Sequence, residues 1–357
     1  MGSIVTITDV AYTAGVSIST VSRYLNDRTL LHRDTAQRIQ EVICELNYIP
    51  NASARNLAMR QTGRIGVLVS CVRSAYWTEV YGAIHDYISQ CSDDLEIFSL
   101  NCDELVLYRS KKSIRDKIRV LAEQRVVGII LLLREVSRED IDYMDSLGIP
   151  FVIVQSDLHD DERVSYVNID NRAASYDITK YLLDLGHKLI AYNSGPTEAV
   201  FARERFEGYQ DAMKSRQLYN KNLIISGNNT TSDGYWRTKQ ILSWTPRPTA
   251  ILYGCDAMAF GGMQAIHELG LSIPGDMSVA GFDGIREQIE IMDMLPPLTT
   301  IVQPMSKIGE KAAEIILQQI KNQNKDEKSR YSVVLPTGFV DNGSCMPLRT
   351  SILSRFE

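Results

Sequence analysis

Thr6 to Met59 reads TITDVAYTAGVSISTVSRYLNDRTLLHRDTAQRIQEVICELNYIPNASARNLAM, and the spacing of its apolar residues decides how the N-terminal part of the chain folds. Ile7, Val10, Ala11 and Ala14 recur at helical intervals, Gly15-Val16-Ser17 interrupts them, and Val21, Tyr24 and Leu25 take the pattern up again. This predicts helix, tight turn, helix. Ser17 is placed to cap the second helix, and Gly15 offers the backbone freedom a short turn needs. Opposite the second apolar set stand Ile18, Ser19, Ser22 and Arg23. In a helix-turn-helix the start of the second helix enters the major groove, where arginine reads guanine with two hydrogen bonds and an apolar side chain touches a thymine methyl.

A third helix is expected from about Arg33, with Ile39, Val42, Ile43 and Leu46 closing a three-helix core before Asn47-Tyr48-Ile49-Pro50. Asn51 then caps a helix over Ala52 to Met59, shorter than the roughly 12 to 15 residues an isolated helix needs in water, so it forms only with help. Ala54 and Ala58 let two such helices approach closely. Leu57 beside them is the kind of wedge that opens a minor-groove step.

The pattern T-x-x-D-V-A-x-x-A-G-V-S-x-x-T-V-S-R, followed by L-N-Y-x-P-N-x-x-A-R-x-L, resembles the lactose/galactose repressor (LacI/GalR) family of bacterial regulators. The likeness runs on to about Met346. It implies a DNA interface in which Thr6, Ser17, Thr20, Asn26 and Tyr48 join Ile18, Ser19, Ser22 and Arg23, with Asn51, Ala54 and Leu57 in the hinge.

With 357 residues and 44% hydrophobic content the chain can bury more than one core, so two or three domains are expected. No apolar run approaches the roughly 18 residues of a membrane span, and Met1-Gly-Ser lacks the features of a signal peptide, which points to the cytoplasm and, for a DNA binder, the nucleoid. The six cysteines are scattered without a C-x-x-C pair or a histidine at ligand spacing, so neither a disulfide framework nor a metal site is expected. The net charge of -6 hides an uneven distribution: residues 1–60 carry six arginines, no lysine and five carboxylates. A headpiece this weakly basic implies modest non-specific DNA affinity, with helix N-termini, backbone amides and dimerisation supplying much of the grip.

Beyond the linker Arg60-Gln61-Thr62-Gly63, apolar runs such as Ile65–Val69, Glu96–Leu100, Val126–Leu133 and Phe151–Val154 alternate with amphipathic stretches such as Thr78–Gln90 and Arg172–Leu185. Further runs at Leu189–Tyr192, Leu223–Ile225, Ala250–Tyr253 and Ser278–Ala280 continue the alternation, which predicts doubly wound α/β sheets. The resemblance implies a two-lobe, periplasmic-binding-protein-like body behind the all-α headpiece. On it the headpiece is 1–50, the hinge and linker 51–63 and the body 64–345. The N-lobe then takes 64–168 and 299–329, the C-lobe 169–298 and 330–345, with crossings near Asn168 to Asp170, Thr299 to Val302 and Arg330.

Ligands of open α/β sheets sit at the carboxyl ends of strands. Tyr76 and Trp77 follow the first strand and match the family's aromatic cleft border, though aromatics in a turn are equally ordinary core. Arg205 matches the family's R-x-x-G-Y arginine and Asp283 its G-[FY]-D-[DN] aspartate, both implied ligand contacts. Asp256, just before a helix, reads as a structural cap. Three positions depart from the family: Cys255 replaces its usual asparagine, Gln155 an aspartate, and Asn229 a stacking aromatic. All three remain candidate effector contacts.

No G-x-S-x-G, phosphate loop, metal motif or carboxylate pair argues for an enzyme, and no cofactor is expected. A solute-binding protein fits the body but not the headpiece. The reading is a homodimeric repressor of carbohydrate-utilisation genes, bound to double-stranded operator DNA and controlled by a small-molecule effector, a sugar first and a nucleoside or other metabolite as the alternative.

Overall fold

The structure is a computed structural model that describes residues 5–26, 31–46, 48, 63–70, 74–92, 94–102, 112–133, 136–158, 160–196, 199–285, 295–323 and 330–348. The chain divides after Gly63 into two compact units. In the first, helices Ile7–Ala14, Ile18–Asn26 and Arg33–Glu45 enclose Val10, Ala11, Val21, Tyr24, Ile39 and Val42.

The second unit holds two six-stranded sheets. The first sheet contains β1 (Arg64–Val69), β2 (Glu96–Asn101), β3 (Gly128–Leu132), β4 (Phe151–Val154), β5 (Ser165–Ile169) and β11 (Ser332–Leu335), in the order β11-β5-β4-β3-β1-β2 with all pairs parallel. The second contains β6 (Ile190–Ser194), β7 (Ile224–Ser226), β8 (Ala250–Tyr253), β9 (Ser278–Asp283), β10 (Thr299–Val302) and β12 (Gly338–Val340), in the order β12-β10-β9-β8-β6-β7. Here β12 runs antiparallel to β10 and the other pairs are parallel.

Both faces of each sheet are covered, which is why the strands read as unbroken apolar runs. Along β1, Ile65, Val67 and Val69 enter one core while Leu68 enters another with Ile118 and Leu121 of helix Lys112–Glu123. Along β8, Ala250 and Leu252 face inward, and Ile251 and Tyr253 pack with Met258 and Met263 of helix Asp256–Glu268. Helices Asn171–Asp184 and Val200–Ser215 meet where Gly208 lies so close to its neighbour that a Cβ would come within 2.2 Å of the Arg172 carbonyl oxygen. Only glycine allows that approach.

The lobe boundaries differ from expectation at two crossings. The chain first changes sheet at Asp170, between β5 and helix Asn171–Asp184. The resemblance puts the second change near Thr299 to Val302, with the first lobe resuming at 299. That segment is instead β10, bonded to β9, so the change comes after it at Gln303-Pro304. The third falls not near Arg330 but between Leu335 and Gly338, because β11 joins the first sheet and β12 the second. Helix Met305–Asn322 belongs to the first lobe, where it packs on helix Ala75–Cys91.

Candidate functional site

The headpiece offers the first candidate surface. Thr6 opens its first helix, donating both its N–H and its hydroxyl to Asp9 Oδ2 at 2.8 and 2.7 Å, and these bonds hold the Asp9 carboxyl below its ordinary pKa. The helix ends at Gly15, whose φ of +61° turns the chain, and Val16 N–H returns to the Ala11 carbonyl at 3.0 Å. Ser17 then caps the second helix, its Oγ accepting from Thr20 N–H at 3.2 Å. With Val21 and Tyr24 buried, helical phase leaves Ser17, Ile18, Ser19 and Arg23 exposed, Ile18 at 48% of its surface, and Thr20 and Ser22 half-buried. These are six of the expected DNA contacts on one helix. Tyr24 hydroxyl donates to Gln40 of the third helix and so fixes the second.

Tyr48 departs from expectation. Its ring is 8% exposed in the headpiece core, and its N–H bonds to the Ile43 carbonyl, so it supports the interface from beneath instead of offering its ring to DNA. Asn51, Ala54, Leu57 and the side chain of Asn26 lie outside the described residues. Tyr12, which no motif singles out, is 90% exposed on the first helix.

The second candidate is the cleft, formed where strand carboxyl ends of the two sheets meet. Arg205, on helix Val200–Ser215, is only 2% exposed. Its Nη1 donates to the Gly254 carbonyl at 2.6 Å and lies 3.1 Å from Asp283 Oδ1, while Nε donates to Asn171 Oδ1 at 2.9 Å. The guanidinium lies 3.7 Å from the ring centroid of Phe282 and 5.0 Å from that of Phe201. Such a group is bound on its edges and covered on its faces, so it organises the cleft from within.

Asp283 ends β9 with a φ of +127°, a backbone geometry rare outside glycine. It accepts a 2.6 Å bond from Gln303 Nε2. Gln303 Oε1 in turn receives Gln155 Nε2 at 3.3 Å, and the same Gln155 nitrogen donates to Tyr76 hydroxyl at 2.8 Å. Tyr76, Gln155, Gln303, Asp283 and Arg205 thus form one buried chain from the first lobe through the second crossing into the second lobe. Trp77, expected beside Tyr76 as a ligand contact, is fully buried in the core and touches Tyr76 edge to face. Its position one residue along the helix turns it inward.

Cys255 immediately precedes helix Asp256–Glu268 without a side-chain capping bond and is 6% exposed; burial and the neighbouring Asp283 charge push its thiol up to about 12. Asp256 does not cap its own helix. It accepts from Gly284 N–H, Ile285 N–H and Thr300 hydroxyl at 2.6, 2.9 and 2.6 Å, which clamps the turn after Asp283. Burial and the Asp283 charge raise its pKa, and those three donors oppose the rise. Asn229, at a φ of +59°, lies against Gly195, where a Cβ would come within 2.5 Å of its Oδ1. Among the described residues that oxygen is buried without a partner, as are Gln155 Oε1 and both amide atoms of Asn193 near the end of β6.

Sequence reasoning therefore reached Arg205, Asp283, Gln155 and Tyr76, which the structure connects, and Asn229 and Cys255 near them. It missed Gln303 and Asn193. Both obey the strand-end rule, but Gln303 was hidden because β10 read as a crossing.

Comparison with known proteins matches residues 6–51 to the lacI family of bacterial regulatory proteins and residues 179–345 to the periplasmic binding protein-like domain. The HTH-type transcriptional repressor PurR of Vibrio vulnificus (strain CMCP6) is 35% identical over 325 residues, spanning 90% of this chain and 94% of its own. Among solved structures, the lac repressor dimer bound to operator and the anti-inducer ONPF is 27% identical with a TM-score of 0.79, covering 96% of this chain and all of that one. A CelR–cellobiose complex is 25% identical with a TM-score of 0.69, covering 95% of this chain and 99% of that one.

Proposed function

The chain belongs to the lacI family of bacterial regulatory proteins and is a DNA-binding repressor, not an enzyme, and from that premise we propose that an uncharged small molecule in the cleft sets its affinity for a near-palindromic operator. Two headpieces of a homodimer read the half-sites through Ile18, Ser19 and Arg23, while the hinge residues around Leu57 enter the minor groove between them. The effector meets the two lobes at once and shifts their relative population, which couples the cleft to the operator.

One observation carries the ligand class. Among the described residues the buried cation of the cleft is Arg205, already neutralised by Asp283 and bound at Gly254 and Asn171, and the atoms left open nearby include amide groups of Gln155, Asn193 and Asn229 and the uncharged Tyr192 hydroxyl. Among the described residues, a phosphate or carboxylate brought there would lack the charged partner a buried ion requires. A neutral ligand would not. The PurR relatives favour a purine over the sugar that the sequence alone suggested, and the CelR–cellobiose complex keeps a neutral sugar as the second reading.

Selection from a random duplex library, followed by titration with hypoxanthine, guanine, ribose, cellobiose and glucose 6-phosphate, tests the proposal. A near-palindrome should emerge, and one neutral probe should change its affinity at least about tenfold. Failure to enrich any palindrome, or a response to the phosphorylated probe alone, would overturn it.

A further inference from the structure

Asp283 dictates the orientation of the two amides linked to it. Paired with Arg205 at 3.1 Å, it is a carboxylate and can only accept hydrogen bonds. Gln303 therefore turns its NH2 towards Asp283, at 2.6 Å, and its carbonyl oxygen towards Gln155. Only a donor can meet that oxygen, so Gln155 presents its NH2, which also serves Tyr76 hydroxyl. What is left over is the carbonyl oxygen of Gln155. It is buried and has no partner among the described residues, on a side chain just 9% exposed and held by a turn with φ of +62°. The orientation of both amides is thus fixed by the charge at the end of the chain.

We propose that Gln303 is a positioning residue of the effector cleft: it ties the lobes together through Gln155 and Asp283 before any effector arrives, and leaves the Gln155 carbonyl oxygen as the acceptor that the effector must satisfy. The cleft then selects ligands that bring an N–H or O–H to that point and rejects those that bring an anionic oxygen. This selection rests on the cleft being the effector site; the strap between the lobes does not. Gln303, at the second crossing, thus becomes the link through which one lobe senses the other.

Hydrogen–deuterium exchange of the full chain without ligand tests the strap. Gln303→Leu should speed exchange about tenfold at the ends of β4 and β9, on both sides of the cleft, and leave helices Ile7–Ala14 and Thr231–Leu242 unchanged. Gln155→Met, a change in the first lobe, should speed exchange at Asp283 in the second, and the double variant should be no faster than the faster single. A purely local packing defect would not cross the cleft. Acceleration confined to the neighbourhood of each substitution, or additive singles, would overturn the strap. In a second arm, hypoxanthine, guanine, ribose and cellobiose are assayed singly by thermal shift. The probe that binds the parent should lose about tenfold in affinity with Gln155→Met, and an undiminished affinity would overturn the acceptor role. If none of the four binds, the ligand class of the proposed function fails, while the exchange data still decide the strap.

Discussion

The cleft and the reading face of the headpiece are both polar recognition surfaces, yet they are assembled on opposite terms. In the cleft Arg205, Asp283, Gln303 and Gln155 are nearly inaccessible and answer one another's hydrogen bonds. On the second headpiece helix Ile18, Ser19 and Arg23 stand in solvent over a core that does not depend on them. The difference predicts where a substitution is felt. A cleft residue is part of the fold and costs stability when removed, whereas a reading-face residue costs binding alone.

Arg205→Ala should show the largest effect. It leaves the Asp283 carboxylate buried without its cation and the Gly254 carbonyl without its donor, which costs about 3–5 kcal/mol of stability, read as a lower urea midpoint. From sequence alone this arginine reads as a ligand contact. A variant as stable as the parent would put the cleft on the same footing as the reading face and break the comparison.

Tyr48→Ala comes next and tests the headpiece from beneath. Deleting a buried aromatic ring costs about 3 kcal/mol, visible as faster amide exchange in helices Ile7–Ala14 and Arg33–Glu45. Tyr48→Phe should stay within about 1 kcal/mol and keep operator affinity. A Phe variant that is stable yet loses operator binding would return the Tyr48 hydroxyl to the DNA contacts.

Arg23→Ala isolates the reading face. It should cost about 1–3 kcal/mol on the cognate operator and relax the preference at one base pair, with stability unchanged within about 0.5 kcal/mol. Gel-shift titrations over single-base operator variants provide the check. An unaltered base preference would remove Arg23 from the reading set.

The same contrast explains what was legible in the sequence. The helix-turn-helix is written locally, in 3.6-residue spacing with Gly15 and Ser17 at the turn, and β1 and β3 announce themselves as apolar runs buried on both faces. Short strands do not. β11 pairs with β5, far earlier in the chain, so nothing within Ser332–Leu335 says which sheet it joins. Thr299–Val302 is β-branched and strand-like, but a likeness that placed a crossing there concealed it, and Gln303 with it. Motifs located Arg205 and Asp283 but not their mutual pairing, which arises from helix Val200–Ser215 meeting the end of β9. Trp77 and Tyr48 show the reverse error: an aromatic next to a functional motif does not reveal which way its helix or turn faces it.

Asn193 should show the smallest effect, and it probes the exception within the cleft. It is fully buried near the end of β6, and neither amide atom has a partner among the described residues, so its neighbours do not answer it as they answer Arg205. A buried amide without bonds carries a desolvation cost of about 1–3 kcal/mol, and removing it recovers that cost against the small cavity left behind. The two nearly cancel, so Asn193→Ala should alter stability by less than about 1 kcal/mol in a urea titration, unlike Arg205→Ala. What it should reduce is affinity for whichever neutral probe binds, because an atom pair left open by the protein is what a ligand can close. A loss of stability as large as that of Arg205→Ala would mean that Asn193 is held by bonds of its own, and would return it to the fold-supporting side of the comparison.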